Sequence, residues 1–404
     1  MHRDDNFRFA LLSFAVRRGI PHKNLKALDG IKYWGEEIFM SWNSEADYNV
    51  MQPIIYLLKE KCKLKPGEHV TIVGDFATDT ETIRALSSAA GSLGGIVTVV
   101  IHPNTGWNTE DPFALPPIVP IAYEKADVII EASESFSVNF STQLSTVFLN
   151  TDMSKKSRFH GMGRPFKEIR HWGHYYKKEI EPATEKLALL HQILVKSKEA
   201  RLTSPNGTDL KGKIGDNTKV WPFKQNGPSK VSKDWICESV QTAKFPGMSR
   251  GAGLGLECHF VPNVGTAEGV YVADGPCHLI TDWPEYKNPD EPIKFTIKKG
   301  KVVNVEGGRD ADKVRQLLKT IIHADMLAEF GVGMDPFWVK SGATNMEKKG
   351  LGNIHFAYGD PRPGHGFVWH VGDPVCPIHC DNVAYRGAFW LDGKKLVDDG
   401  KYLY

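Results

Sequence analysis

The sequence predicts an α/β N-terminal domain built on a parallel, doubly wound sheet, followed by a mixed α+β C-terminal domain that carries a metal site. Three observations predict it. Between residues 69 and 131, apolar runs of strand length alternate with helical periodicity. Beyond residue 200 glycine, proline and short strands dominate. Within that second half, imidazoles and carboxylates recur on short apolar segments, the last of them Ile378-His379-Cys380-Asp381.

His69-Val70-Thr71-Ile72-Val73-Gly74-Asp75 is an apolar run closed by Gly and Asp, a strand. Thr78 to Leu93 then repeats apolar residues at helical spacing, with Thr78 or Asp79 available as a cap. Gly94-Gly95 stops that helix, Ile96 to Ile101 reads as a second, buried strand, and Ala126 to Glu131 as a third after another helical segment. Strands alternating with helices imply the parallel sheet. Gly91, Gly94 and Gly95 end a helix rather than join a strand to one, so the dinucleotide fingerprint is absent. A helix over Thr184 to Ala200 precedes the change of pattern, which sets domains of 1–195 and 196–404. In the second domain Ile293 to Ile297 and Val302 to Val305 flank a turn at Lys298-Lys299-Gly300-Lys301, a β-hairpin, and another hairpin turns at Asp392-Gly393. Asp310 to Met326 has helical periodicity, with Val314, Leu317, Leu318 and Ile321 on one face.

Composition narrows the partners. At 404 residues and 41% hydrophobic the chain is long enough for two domains with a sizeable core. Its 50 basic and 48 acidic residues, net +2, form no basic stripe, which argues against a nucleic-acid partner. There is no membrane-length apolar stretch, and Met1-His2-Arg3-Asp4-Asp5 is too polar to open a secretory signal, so a cytoplasmic protein is expected. The six cysteines are scattered as reduced thiols would be. Cys376 and Cys380 flank His379, yet no C-x-x-C and no second pair supports a zinc knuckle.

A catalytic metal needs several His, Asp or Glu side chains converging from rigid elements. On strands, residues two apart share a face, which pairs Glu257 with His259 and His379 with Asp381. Glu257 lies in an apolar stretch where a lone carboxylate would be costly. Glu329 reads as an acid just after a helix, before a glycine-bent loop, and would equally close that helix on the surface. His355, in an alternating Ile354-His355-Phe356-Ala357-Tyr358 strand, would equally be a hydrogen-bonded core histidine, and His379 with Asp381 a structural pair. Glu268 reads as a turn residue and His323 as part of a helix surface.

Together these segments resemble the thermophilic aminopeptidases, the aminopeptidase T and aminopeptidase S family of metallopeptidases. Arg201 to Leu210 is similar to the strand and turn that open that family's C-terminal domain. Gly255-Leu256-Glu257-Cys258-His259-Phe260-Val261-Pro262 resembles its G-G-E-V-F-T-A-P segment. Ala328-Glu329-Phe330-Gly331-Val332-Gly333-Met334-Asp335-Pro336 is similar to A-E-x-G-x-G-x-N-P, Gly352 to Gly359 to G-x-x-H-x-A-x-G, and His379-Cys380-Asp381 to the closing H-x-D. The resemblance implies metal ligands at Glu257, Glu329, His355, His379 and Asp381, holding two divalent ions (zinc, cobalt or manganese). It also implies a homodimer acting on a short peptide or other small molecule.

One departure bears on substrate. Where the family has a tyrosine seven residues after the first histidine, this chain has Arg362, a permanent charge suited to a substrate carboxylate. Arg362 and Glu257 are therefore the catalytic candidates. A second relative on the same fold, 2,5-dihydroxypyridine 5,6-dioxygenase, is similar around Thr266-Ala267-Glu268-Gly269 and over the hairpin from Ile293 to Gly308. It implies a single Fe(II) held by His379, Asp381 and either His355 or Glu329. That relative's third ligand is a histidine where this chain has Glu329, and its upstream acid/base histidine has no counterpart around Met248 to Gly253. The expected activity is thus a metal-dependent, aminopeptidase-like hydrolase, with an iron ring-cleaving dioxygenase as the alternative.

Overall fold

The structure, a computed structural model, describes residues 51–76, 78–103, 116–132, 158–161, 176–214, 223–225, 256–281, 287–360, 367–369, 376 and 378–404. Strand β1 (His69–Asp75) is buried along its length except at His69. It pairs in parallel with β2 (Ile96–His102) on one side and β3 (Val128–Glu131) on the other, and β4 (Arg158–Gly161) extends the sheet beyond β3. Helix α1 (Thr80–Ser92) joins β1 to β2, capped by the Asp79 carboxylate, which accepts the Glu81 N–H. Helix α2 (Ile118–Glu124) precedes β3. The order β2-β1-β3-β4 reverses direction at β1. Right-handed crossovers put α1 and α2 on opposite faces of such a sheet.

Two local expectations are corrected here. β2 is an edge strand rather than a buried one, and Ile96, Val99 and Ile101 are exposed. The helix expected over Thr184 to Ala200 is α3 (Tyr176–Leu194). It stops because β5 (Glu199–Thr203) takes the following residues into a ladder with β6 (Asp209–Lys213), which satisfies their backbone groups.

Two antiparallel sheets follow, together with the short pair β7 (Phe223–Gln225) and β14 (Phe367–Trp369). The smaller sheet contains β8 (Glu257–Phe260), β12 (Leu327–Gly333), β13 (Ile354–Gly359) and β15 (His379–Ala384), in the order β15-β13-β12-β8. The larger has eight strands, β11-β10-β9-β6-β5-β16-β17-β18. Its further members are β9 (Glu268–Ala273), β10 (Ile293–Lys298), β11 (Lys301–Glu306), β16 (Ala388–Leu391), β17 (Lys394–Asp398) and β18 (Lys401–Tyr402). Both expected hairpins form, β10–β11 and β16–β17, and Lys299, Gly300, Asp392 and Gly393 all take the positive φ that tight hairpin turns require. Glu268 opens β9, and its carboxylate accepts the Lys299 N–H in the neighbouring turn. Helix α4 (Arg309–Thr320) ends before His323, which sits in a turn at positive φ rather than on a helix.

An aromatic layer joins β13 to the larger sheet. Phe356 packs against Tyr271 and Phe295 at ring-centroid distances of 4.6 and 4.9 Å. The Tyr271 hydroxyl lies 2.8 Å from the carbonyl oxygen of Ile354 and 2.9 Å from that of Asn382, so one side chain ties β9 to β13 and β15. A single hydrophobic cluster runs from Ile54 to Val397. Among the described residues no helix is long and apolar enough to cross a membrane, and Cys62, Cys258, Cys277, Cys376 and Cys380 are buried and outside any disulfide.

Candidate metal centre

Every strand of the four-stranded sheet is buried on both faces, and the two faces have different chemistry. On β13 the alternation puts Ile354, Phe356 and Tyr358 toward the aromatic layer and His355 and Ala357 on the other side. That second face gathers all five predicted ligands: Glu257 from β8, Glu329 from β12, His355 from β13, and His379 and Asp381 from β15. Glu329 is therefore a mid-strand residue, not the acid after a helix that its glycine-rich sequel suggested.

Those glycines make room. Gly331 lies directly across the ladder from His355, and a Cβ there would come within 2.0 Å of the imidazole Nε2. Gly333 lies across from Glu257, where a Cβ would come within 2.1 Å of the Gly350 carbonyl oxygen. Ala357 stands between Glu329 and Asp381, and Gly359 faces His379. Each donor thus has a small residue beside it, and the large side chains fill the gaps.

The donor atoms converge in two groups that share Glu329. Glu257, Glu329 and His355 form one, Glu329, His379 and Asp381 the other, with the offered atoms of each group within 4.8 Å of one another. His355 Nε2 is 3.2 Å from Glu257 Oε2 and 3.0 Å from Glu329 Oε1. His379 Nε2 is 3.5 Å from Glu329 Oε2 and 3.6 Å from Asp381 Oδ1. Both rings are oriented from behind. His355 Nδ1 lies 3.1 Å from the Lys348 carbonyl oxygen and His379 Nδ1 lies 2.6 Å from that of Asp360. A carbonyl only accepts, so each Nδ1 carries a proton and each Nε2 lone pair is left for a cation.

Four cationic or imidazole neighbours complete the cluster. His259, two residues after Glu257, places Nδ1 3.3 Å from Glu329 Oε1. His278 places Nδ1 3.2 Å from the Asp381 backbone nitrogen and 3.3 Å from its Oδ2. Lys348 is the larger surprise: its ammonium is 2.9 Å from Asp381 Oδ2, 3.6 Å from Glu257 Oε2 and 3.8 Å from Glu329 Oε1. Lys349 follows, 3.2 Å from Glu257 Oε1. Neither lysine of Glu347-Lys348-Lys349-Gly350 stands out in the sequence, and tertiary packing is what buries Lys348.

Burial acts against every charge here, yet the charges hold one another. It would raise the carboxyls, but Lys348 and Lys349 hold Glu257 well below the ordinary carboxylate range. His259 and Lys348 do the same for Glu329, and Lys348 with His379 for Asp381. Burial would lower the cations, but Asp381, Glu257 and Glu329 push Lys348 well above its usual value. His355 is raised by Glu257 and Glu329, and His379 by Asp381, again against burial.

The donor set suits a divalent cation. It combines carboxylate oxygens with correctly turned imidazoles on rigid strands, and Asp381 Oδ1, buried and facing His379, makes no hydrogen bond among the described residues. Arg362 lies outside the described residues, as do Met248 to Gly253.

Comparison with known proteins places the chain. No curated protein matches the sequence significantly. The fold is similar to that of 2,5-dihydroxypyridine dioxygenase from Pseudomonas putida KT2440, with a TM-score of 0.60 at 17% identity over 88% of this chain and 97% of the other. It is also similar to wild-type AmpT from Thermus thermophilus, with a TM-score of 0.52 at 14% identity over 88% and 99%. Both members of the expected fold pair are thus present. Residues 177–404, more than half of the sequence and all of the strands that carry the donor cluster, match the family model of NicX, 2,5-dihydroxypyridine 5,6-dioxygenase. The chain belongs to that family of enzymes and carries a metal-competent site on the fold that the family shares with AmpT.

Proposed function

We propose that this protein is a metal-dependent hydrolase, in which water attacks an amide or related bond of a short peptide or small molecule. One observation carries this reading. The two donor groups each pair one imidazole with two carboxylates, and the two groups share Glu329. Glu329 stands between them, with Oε1 on His355 and Oε2 toward His379. Non-haem iron oxygenases use two histidines and one carboxylate, whereas carboxylate-rich sets suit harder ions such as manganese, and hydrolytic zinc accepts histidine together with glutamate or aspartate.

Bound divalent metal supplies an activated water at neutral pH and polarises the bond under attack. The chain's residues prepare for it. The carbonyls of Lys348 and Asp360 hold each Nδ1–H so that Nε2 is the nitrogen turned to the cation, Glu329 serves both groups, and burial excludes bulk water. In this reading residues 196–404 are the catalytic portion, and Arg362 clamps a substrate carboxylate. Family likeness extends the proposal to a homodimer.

A second reading, ring opening of a hydroxypyridine-like substrate on Fe(II), is supported by the family match. It would use His379, Asp381 and either Glu329 or His355. The test is metal analysis of anaerobically purified protein followed by parallel assays. Amide cleavage by zinc-, cobalt- or manganese-loaded protein, abolished in His379→Ala, is the expected outcome. Oxygen uptake with 2,5-dihydroxypyridine by the iron-loaded protein, without amide cleavage, would establish the second reading instead.

A further inference from the structure

We infer that the Lys348 ammonium serves as one of the two positive centres of this site, so that the chain holds one divalent ion where the aminopeptidase resemblance implies two. The inference rests on the metal-dependent reading above. It follows from which oxygen each cation faces. Lys348 Nζ approaches Glu257 Oε2 and Glu329 Oε1, the same two oxygens that His355 Nε2 approaches. An ion in the Glu257–Glu329–His355 group would have to share those oxygens with a fixed ammonium. The other oxygen of Glu257 is already beside Lys349 Nζ, at 3.2 Å.

The second group is different. Lys348 meets Asp381 through Oδ2, leaving Oδ1 turned to His379 Nε2, and Glu329 offers Oε2 to the same nitrogen. Glu329 Oε2, His379 Nε2 and Asp381 Oδ1 therefore form the position left to a divalent ion. Charge agrees with geometry. Three carboxylates face two ammonium groups, which leaves one negative charge in a site where all three acids are at most 2% exposed. One divalent ion changes that to a single positive charge, whereas two would leave three positive charges buried together. Concentrating like charges at such separations out of water is strongly unfavourable.

The test is metal stoichiometry by mass spectrometry after reconstitution with excess zinc and desalting. Wild-type protein should hold one zinc per chain, and Lys348→Met, which keeps the length of the side chain without its charge, should hold two. Glu257→Gln should still hold one, because that acid is committed to lysines, while Asp381→Asn should hold none. Two zinc ions in the wild type, one in Lys348→Met, or loss of zinc in Glu257→Gln would each overturn the inference. Should Lys348→Met fail to fold by circular dichroism, the wild-type count and the contrast between Glu257→Gln and Asp381→Asn decide it. No zinc at all in the wild type would sink the metal-dependent reading together with this one. Two zinc ions would sink only this inference and leave the hydrolase standing.

Discussion

At the donor face the residues that set the site are as much the small ones as the ligands. Gly331 and Gly333 on β12, and Ala357 and Gly359 on β13, each lie across the ladder from a donor. Gly331→Ala should weaken the fold beside His355 and leave the zinc count unchanged. Its methyl would overlap the His355 ring, with Nε2 2.0 Å away, and a ring packed into a buried sheet has nowhere to turn. The expected outcome is a loss of about 1–3 kcal/mol in urea unfolding with one zinc per chain retained, and unchanged stability would reject the packing account. In the sequence Gly331-Val332-Gly333 looks like a loop, because glycine is depleted from strands. The strand assignment becomes visible only when the imidazole opposite is seen to need the space.

Among the elements, the short helix α5 (Thr344–Glu347) decides where the unforeseen lysines point. Its last residue, Glu347, is fully buried. Its Oε1 accepts the N–H groups of Ser341 and Gly342, each at 2.6 Å, and its Oε2 accepts the Tyr385 hydroxyl. Burial raises the Glu347 carboxyl, and the Tyr385 hydrogen bond is the main force opposing that rise. Tyr385→Phe removes it and leaves a buried carboxylate oxygen short of a donor. A loss of about 1–3 kcal/mol in urea unfolding is expected. Intact stability would show that the hydroxyl contributes nothing. The same scale explains which boundaries the sequence misplaced. Helical periodicity continues past Leu194 and past Thr320, but strand β5 claims the residues after α3, and a turn at His323 follows α4. Periodicity reports what a segment tolerates, and pairing partners far away in sequence decide what it adopts.

For the whole molecule, one buried polar face inside an otherwise apolar, two-sheet packing couples stability to protons and metal. In the metal-free chain His355 and His379 are raised above the ordinary imidazole value, chiefly by the carboxylates overcoming burial. Their stabilising contribution is complete below about pH 6.5 and is lost as pH rises through the raised values. The depressed carboxyls of Glu257, Glu329 and Asp381 contribute above about pH 4, and that contribution is lost only as pH falls through their lowered values. The melting temperature of chelator-treated protein should therefore decline as pH rises above about 6.5 and through the raised values. Zinc should restore it, by about 2.7 kcal/mol when free zinc is 100-fold above its dissociation constant, with a larger effect at the higher pH. A metal-free protein whose melting temperature is flat across that range would contradict the electrostatic picture.

The sequence by itself determined the alternating strands and helices of the parallel sheet and both hairpins, while motifs resembling a known family implied the five candidate donors that the structure brings onto one face. These are local patterns of period and spacing, or short motifs whose chemistry is written in neighbouring residues. Only the tertiary structure decided that Glu329 lies in mid-strand, that β2 forms an edge among the described residues, and that Lys348 enters the centre of the cluster. Which strand lies beside which, and which ammonium is taken out of water, depends on packing between segments far apart in the chain, and no single segment carries that information.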